Sequence, residues 1–188
     1  MTNNEKNLLE LLAKIAYHYS PVPEFKLASG KMSHFYIDCK SVIMSPRGLI
    51  LCGQVILERM KGLAIDAIGG LEFGAIPITL ATSLLAYQKG ITIMPFVVRK
   101  ESKDRGLKKS IEGQIKKGDR VVIVEDVITS GKSAIVATQR AREKGAKIEK
   151  VIAIVDREEG GKDALCRMGI DLDGIFTIND LNKQLKLS

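Results

Sequence analysis

The sequence predicts an α/β fold, a mostly parallel sheet flanked by helices. Three observations carry that prediction. The runs VVIV at 121–124 and VIAIV at 151–155 are apolar at every position, as strands covered on both faces are. From Ile65 onward, apolar runs of strand length alternate with longer stretches of helical period. Glycines stand where those helices should close, at Gly62, Gly90 and Gly145.

Taken in order, residues 5–19 place Leu8, Leu11, Leu12 and Ile15 on one helical face, with Pro21 and Pro23 to end the helix. A turn at Ser29, Gly30 and Lys31 leads to a short strand at 35–38. Ser45 followed by Pro46 has the form of an N-cap and first-turn proline, and opens a helix carrying Leu49, Ile50, Val55, Ile56, Leu57 and Met60. Strand 65–68, helix 76–89 and strand 94–98 follow. Residues 99–118 are a polar excursion without periodicity; in a compact domain a loop of that length is a functional lid or disordered. Strand 121–124 then precedes a helix at about 133–144, strand 151–155, a short helix near 163–168, strand 175–178 and a last helix capped by Asn179. In open sheets of this kind ligands bind beyond the carboxyl ends of the strands. The segments that begin at Gly69, Arg99, Glu125 and Asp156 are therefore expected to meet in one site.

With 188 residues, 45% hydrophobic and 27% charged, the chain is expected to be one domain, 1–188, with its own core. The three cysteines, Cys39, Cys52 and Cys166, are widely spaced with no C-x-x-C pair, which excludes a secreted disulfide scaffold. Two histidines, His18 and His34, form no Cys/His cluster, which argues against a transition-metal site, and both are read as structural. No apolar run is long enough to cross a bilayer and residues 1–14 lack a signal-peptide core, so a cytoplasmic protein with no membrane partner is expected. The formal charge of +7 is local: RKESKDRGLKK at 99–109 holds six basic and two acidic residues and leaves +3 for all other positions. A concentrated cationic segment suits a compact, phosphate-rich small molecule. A duplex-binding surface spreads its charge along a face, so no nucleic-acid partner is expected.

The strongest chemical signal is VVIVEDVITSGKSA at 121–134. A buried strand delivers adjacent carboxylates, Glu125 and Asp126, and Thr129, Ser130, Gly131, Lys132 and Ser133 then turn into a helix. Such a turn offers backbone N–H groups, hydroxyls and a helix N-terminus to one anion, and Gly131 allows close approach. It is a phosphate cradle. Like charge keeps the carboxylates off the phosphate, so they should face hydrogen-bond donors such as sugar hydroxyls, or Mg²⁺ already on the ligand. A P-loop needs a glycine five positions before Gly131, where Asp126 stands, and is excluded.

Hydrophobic strand, acidic pair and V-I-T-S-G-K-S together resemble the phosphoribosyl-pyrophosphate (PRPP) motif of the type I phosphoribosyltransferases. Three further segments are similar to the orotate phosphoribosyltransferase family within that group. FKLASGKMSHFYID at 25–38 resembles its orotate-binding stretch, VRKESKDRG at 98–106 with IEG at 111–113 its mobile catalytic loop, and VDREEG at 155–160 the segment whose arginine meets the substrate. The matches run from Phe25 to Gly160 in the family's order.

The resemblance implies the type I phosphoribosyltransferase fold, with a small N-terminal hood at 1–40 that contributes to base binding and a mobile loop at 99–118. It implies that orotate and PRPP give orotidine 5′-monophosphate and pyrophosphate, in the UMP branch of pyrimidine biosynthesis, with Mg²⁺ bound mainly through PRPP and no direct protein ligand. Glu125 and Asp126 are then expected to hold the ribose hydroxyls and Thr129 to Ser133 the 5′-phosphate. Arg99, Lys100, Lys103 and Arg105 should neutralise pyrophosphate, Gly70 should lie beside it, and Tyr36, Phe35, Thr129 and Arg157 should bind orotate. Lys103, Arg105 and Asp126 are the expected catalytic residues. In the family the loop crosses a homodimer interface into the neighbouring site. Two departures stand out. Arg105 occupies a position that is histidine in many members, and arginine binds phosphate but does not titrate near neutrality. Ala28 stands where some members carry a lysine, leaving that contact absent or supplied by Lys26 or Lys31.

Without the resemblance, a basic run reads as a solvated loop and an aromatic on a short strand as core. Two rival functions share part of the pattern. A phosphoribosyltransferase for another base needs the PRPP motif but not F-Y-I-D, the basic loop and Arg157. A PRPP-sensing or RNA-binding regulator on the same fold has no use for a cationic lid.

Overall fold

The computed structural model of the chain describes residues 1–26, 30, 32–100 and 110–187. Helix α1, Asn3–Ile15, opens with a reciprocal cap: Thr2 Oγ1 accepts from the Glu5 amide and the Glu5 carboxylate accepts from the Thr2 amide. It buries Leu8, Leu9, Leu12 and Ala13, one step round from the expected stripe, and leaves Ile15 exposed. The helix stops at Ile15 rather than continuing to residue 19. Tyr17–Tyr19 is a strand, β1, because its backbone finds an antiparallel partner in β4, Phe35–Ile37. Between them Phe25–Lys26 (β2) and Met32–Ser33 (β3) pair as a second small ribbon. A one-turn helix α2, Lys40–Ile43, follows, and then α3, Pro46–Arg59, whose first turn is capped by Ser45 Oγ on the Gly48 amide as expected.

The rest of the chain is the predicted alternation. Strand β5 (Ala67–Leu71), α4 (Ala75–Gln88), β6 (Met94–Val98) and β7 (Ile111–Gly113) are followed by β8 (Arg120–Ile128), α5 (Lys132–Glu143), β9 (Lys147–Asp156), α6 (Gly161–Cys166), β10 (Leu172–Thr177) and α7 (Ile178–Leu187). The six strands lie in the order β10–β9–β8–β5–β6–β7, parallel except for the antiparallel edge strand β7. Successive residues alternate across the sheet. Val122 and Val124 face the layer of α1, α3 and α4 with Leu12, Ile56 and Ile78, while Val121 and Ile123 face Ala134, Ala137 and Ala141 of α5 and Leu165 of α6.

Four expectations need correction. Strand β5 begins two residues late and runs through Gly69 and Gly70, where a Cβ would stand 2.4 Å from the Phe96 carbonyl oxygen and 2.2 Å from that of Val124. Close strand packing demands glycine there despite its poor strand propensity. Strand β8 extends four residues past 124, so Glu125 and Asp126 belong to the strand itself. The excursion at 99–118 is not structureless, since β7 pairs with β6. The last helix is capped by Thr177, which exchanges hydrogen bonds with Asp180, and not by Asn179.

One ionic clamp ties the layers. Arg59 at the end of α3 meets Glu5 of α1 at 2.6 Å and Asp173 of β10 at 2.8 Å. Burial alone would raise the Glu5 carboxyl, but the Thr2 amide and Arg59 outweigh it and hold it below its usual value. Arg59→Met strips the cation from a carboxylate that is only 6% exposed. We expect a loss of about 3 kcal/mol, read as a Tm roughly 6–12 °C lower in calorimetry; an unchanged Tm would make the clamp ornamental.

Candidate active site

The strand order reverses at β5. The chain steps outward to β6 and β7, then returns past β5 to β8 and continues on the other side, so the carboxyl ends of β5 and β8 flank a topological switch point. The predicted acidic pair and turn sit there.

Because side chains alternate along a strand, Glu125 and Asp126 leave β8 on opposite faces. Asp126 turns toward α2, α3 and α4. Its Oδ2 lies 3.6 Å from Lys40 Nζ, and a Cβ on Gly74, the residue that begins α4, would stand 2.5 Å from its carboxyl carbon. Glu125 turns toward α5 and lines a cleft of about 50 Å³ with Thr129, Ser130, Gly131, Lys132 and Ser133. Its Oε1 is buried and unbonded among the described residues. Burial, reinforced by the charge of Asp126 and opposed by Lys40, pushes its carboxyl up to about 8. Burial thus favours the uncharged form of Glu125.

This has a consequence for stability. A carboxyl raised from 4.5 to about 8 binds a proton in the folded state that the unfolded chain has already released. The stabilisation is complete below the unfolded value and is lost as pH rises through the folded one. Between pH 5 and 9 the Tm of the parent should fall more steeply than that of Glu125→Gln, which carries no titrating group; parallel curves would contradict the assignment.

The turn after β8 is built for close approach. Gly131 has φ +79°, a left-handed conformation that glycine adopts at no steric cost, and it begins α5 without any side-chain cap. Its missing Cβ would lie 3.2 Å from the Gly161 carbonyl oxygen, so the start of α6 packs directly behind the turn. The first amides of α5 thus have no side-chain cap. Lys132 and Ser133 are exposed at the same edge.

Across β9 lies Arg157. Its amide donates to the Ile128 carbonyl at 3.0 Å, which extends the sheet ladder to the turn. Its side chain is 8% exposed, with Cζ 5.0 Å from the centre of the Phe35 ring, Nη2 2.7 Å from Glu159 and Nε buried without a hydrogen bond among the described residues. Phe35 and Tyr36 point to opposite sides of β4. Phe35 meets Arg157, whereas Tyr36 is 44% exposed and stacks against His18 and Phe25.

The basic segment leaves the sheet through a fixed neck. The Arg99 amide donates to Ser110 at 3.0 Å, the Lys100 amide donates to Glu72 at 2.6 Å, and the Arg140 guanidinium of α5 donates to the carbonyls of Arg99 and Lys100. The Arg99 side chain pairs with Glu112 at 3.3 Å. Lys103 and Arg105, like Ala28 and Lys31, lie outside the described residues. Gly70 is buried within β5, and its lack of a side chain is required by Val124 and Ala75.

Sequence reasoning missed Lys40, Glu72, Gly74 and Arg140. Lys40 stood two residues after the quoted F-Y-I-D, but nothing local ties it to Asp126. Among the described residues no three His, Cys, Asp or Glu side chains converge as a metal cage, and no helix is long and apolar enough to cross a membrane.

A family profile described as a phosphoribosyl transferase domain matches residues 56–176. The orotate phosphoribosyltransferase of Aquifex aeolicus is 41% identical over 181 residues, covering 96% of this chain and 98% of its own length. That of Methanocaldococcus jannaschii is 44% identical over 158 residues, 84% of this chain and 86% of its own. Among solved structures, Mycobacterium tuberculosis H37Rv orotate phosphoribosyltransferase in complex with PRPP superimposes with a TM-score of 0.78 at 28% identity, covering 95% of this chain and 99% of that one.

Proposed function

Since the chain belongs to the orotate phosphoribosyltransferase family of phosphoribosyl transferase domains, we propose that it transfers the phosphoribosyl group of PRPP to orotate, giving orotidine 5′-monophosphate and pyrophosphate. The reaction is a step of pyrimidine biosynthesis toward UMP. The observation that carries the reading is that the carboxyl end of β8 holds an uncapped helix N-terminus and a carboxyl pair, with Arg157, its side chain 8% exposed, bonded through its amide to Ile128 at that end.

The residues divide along the substrate. Thr129, Ser130, Gly131, Lys132 and Ser133 hold the 5′-phosphate through amides and hydroxyls. Asp126 and Glu125 take the ribose hydroxyls, the uncharged Glu125 being able to donate as well as accept. Arg157 grips the orotate carboxylate with Phe35 packed on its guanidinium and Thr129 completes the base site, whereas Tyr36, expected there from the sequence, lies on the other side of β4 against His18 and Phe25. Displacing pyrophosphate from the anomeric carbon builds positive charge on the ribose ring and negative charge on the leaving group. No protein nucleophile is needed. Lys100, Lys103 and Arg105, with Arg99 at the neck, neutralise the departing diphosphate and exclude water that would hydrolyse PRPP. Mg²⁺ bound to PRPP would neutralise part of the diphosphate charge, and among the described residues no cluster of three His, Cys, Asp or Glu side chains is placed to hold it.

The whole chain, 1–188, acts as one domain, with 1–40 as the hood over the base and 99–118 as the loop. A homodimer is supported by α4, which has no charged residue and leaves Leu80 52%, Leu84 61% and Tyr87 71% exposed on its outer face, beside the exposed Ile91 and Met94. Cytoplasmic location belongs to the same reading.

A panel of bases tests it. Incubated with PRPP and Mg²⁺, the protein should consume orotate and leave adenine, guanine, hypoxanthine and uracil unchanged; turnover of another base in place of orotate would overturn the assignment.

A further inference from the structure

Lys40 has no role in the scheme above, yet it is the cation that the fold brings to Asp126. It begins α2, immediately after the strand that carries Phe35 and Tyr36, and reaches 3.6 Å from Asp126 Oδ2 with 55% of its side chain exposed. We propose that Lys40 is a positioning residue of the phosphoribosyl transfer, fixing the Asp126 carboxylate as the acceptor for the ribose hydroxyls of PRPP.

The surroundings of Asp126 explain the need. Its side chain is only 12% exposed. Around it stand the buried thiols of Cys39 at the start of α2 and Cys52 in α3, the backbone of Gly74 at the start of α4, and Glu125 beside it on β8. Both thiols are pushed up by burial and by the Asp126 charge, so neither adds a second negative charge. Among the described residues Lys40 is the cation in ion-pair range of this carboxylate. Burial works to lower the lysine, but Asp126 and Asp38 outweigh it and hold Lys40 above the ordinary lysine value, charged at every working pH.

A buried carboxylate without a cation disfavours its charged form, and a protonated one offers fewer acceptor sites to a diol. A half-exposed ammonium neutralises the site without filling it, because its flexible stem can swing as the sugar enters. The placement also joins two halves of the substrate. Phe35 and Lys40 sit in one short stretch, so the segment that reaches the base also orients the group that holds the ribose.

The inference rests on the proposed reaction, and the test separates the two. Lys40→Met keeps the stem and removes the charge; Lys40→Arg restores the charge. For Lys40→Met we expect KM for PRPP to rise about tenfold with a smaller change in kcat. Lys40→Arg should return KM to near its parental value. Mg·PRPP binding by calorimetry, which is independent of the base accepted, should weaken by about tenfold in Lys40→Met and recover in Lys40→Arg. Weakened PRPP binding in a protein that fails to turn over orotate would keep this inference and sink the orotate reading. Parental PRPP affinity in Lys40→Met, or equal loss in both variants, would overturn the role of Lys40.

Discussion

Replacing Lys103 by alanine is expected to lower turnover about 10²–10³-fold while leaving Tm within about 2 °C of the parent. The loss follows from where charge develops. In the proposed reaction the diphosphate gains negative charge as the bond to the anomeric carbon lengthens, and Lys103 is the residue proposed to meet it. The neck at Arg99 and Lys100 is anchored to Glu72 after β5 and to Arg140 of α5, which sets the segment's origin beside the switch-point crevice. Near-parental turnover would remove Lys103 from the chemistry. The proposed sharing of the segment between the subunits of a homodimer offers a second readout. Mixed in equal amounts with inactive Asp126→Asn, Lys103→Ala should recover about a quarter of parental activity, because half the dimers are mixed and each of those holds one intact site. No recovery after verified subunit exchange would place the segment over its own subunit's site.

Gly131→Ala should raise KM for PRPP at least about tenfold, with kcat less affected, and lower Tm by about 2–8 °C. Two constraints meet at this residue. A Cβ at φ +79° is strained by about 1–2 kcal/mol, and it points at the Gly161 carbonyl oxygen, 3.2 Å away on a backbone that cannot yield without moving α6. The turn must shift, and the amides aimed at the phosphate shift with it. A folded variant with parental KM would mean that the 5′-phosphate binds elsewhere.

The periodic signals were legible because they report burial, which is local in origin. Strand β6 falls at Met94–Val98 as the apolar run there predicts, and the cap at Ser45 is written in adjacent residues. What misled were features decided by distant partners. Tyr17 to Tyr19 continue the helical phase, but their backbone pairs with Phe35 to Ile37. Gly69 and Gly70 look like a loop until Phe96 and Val124 are seen pressing on them. The three residues of β7 carry no periodicity, and only pairing with β6 makes them a strand.

The candidate site divides the same way. The contiguous motif from Glu125 to Ser133 was readable as a phosphate cradle because one turn contains its amides, hydroxyls and glycine. The opposed directions of Glu125 and Asp126 follow from the pleat, but the strand's end at Ile128 was needed to apply it. The roles of Lys40, Glu72 and Arg140 depend on side chains from other elements, so no local pattern announces them.

The most direct test of the central claim is to mix the purified protein with orotate, PRPP and Mg²⁺ and to measure orotate loss and pyrophosphate release together. Phosphoribosyl transfer predicts equal amounts of both, with orotidine 5′-monophosphate as the product. Pyrophosphate released without loss of orotate would mean that the protein hydrolyses PRPP or uses another acceptor, and would contradict the account.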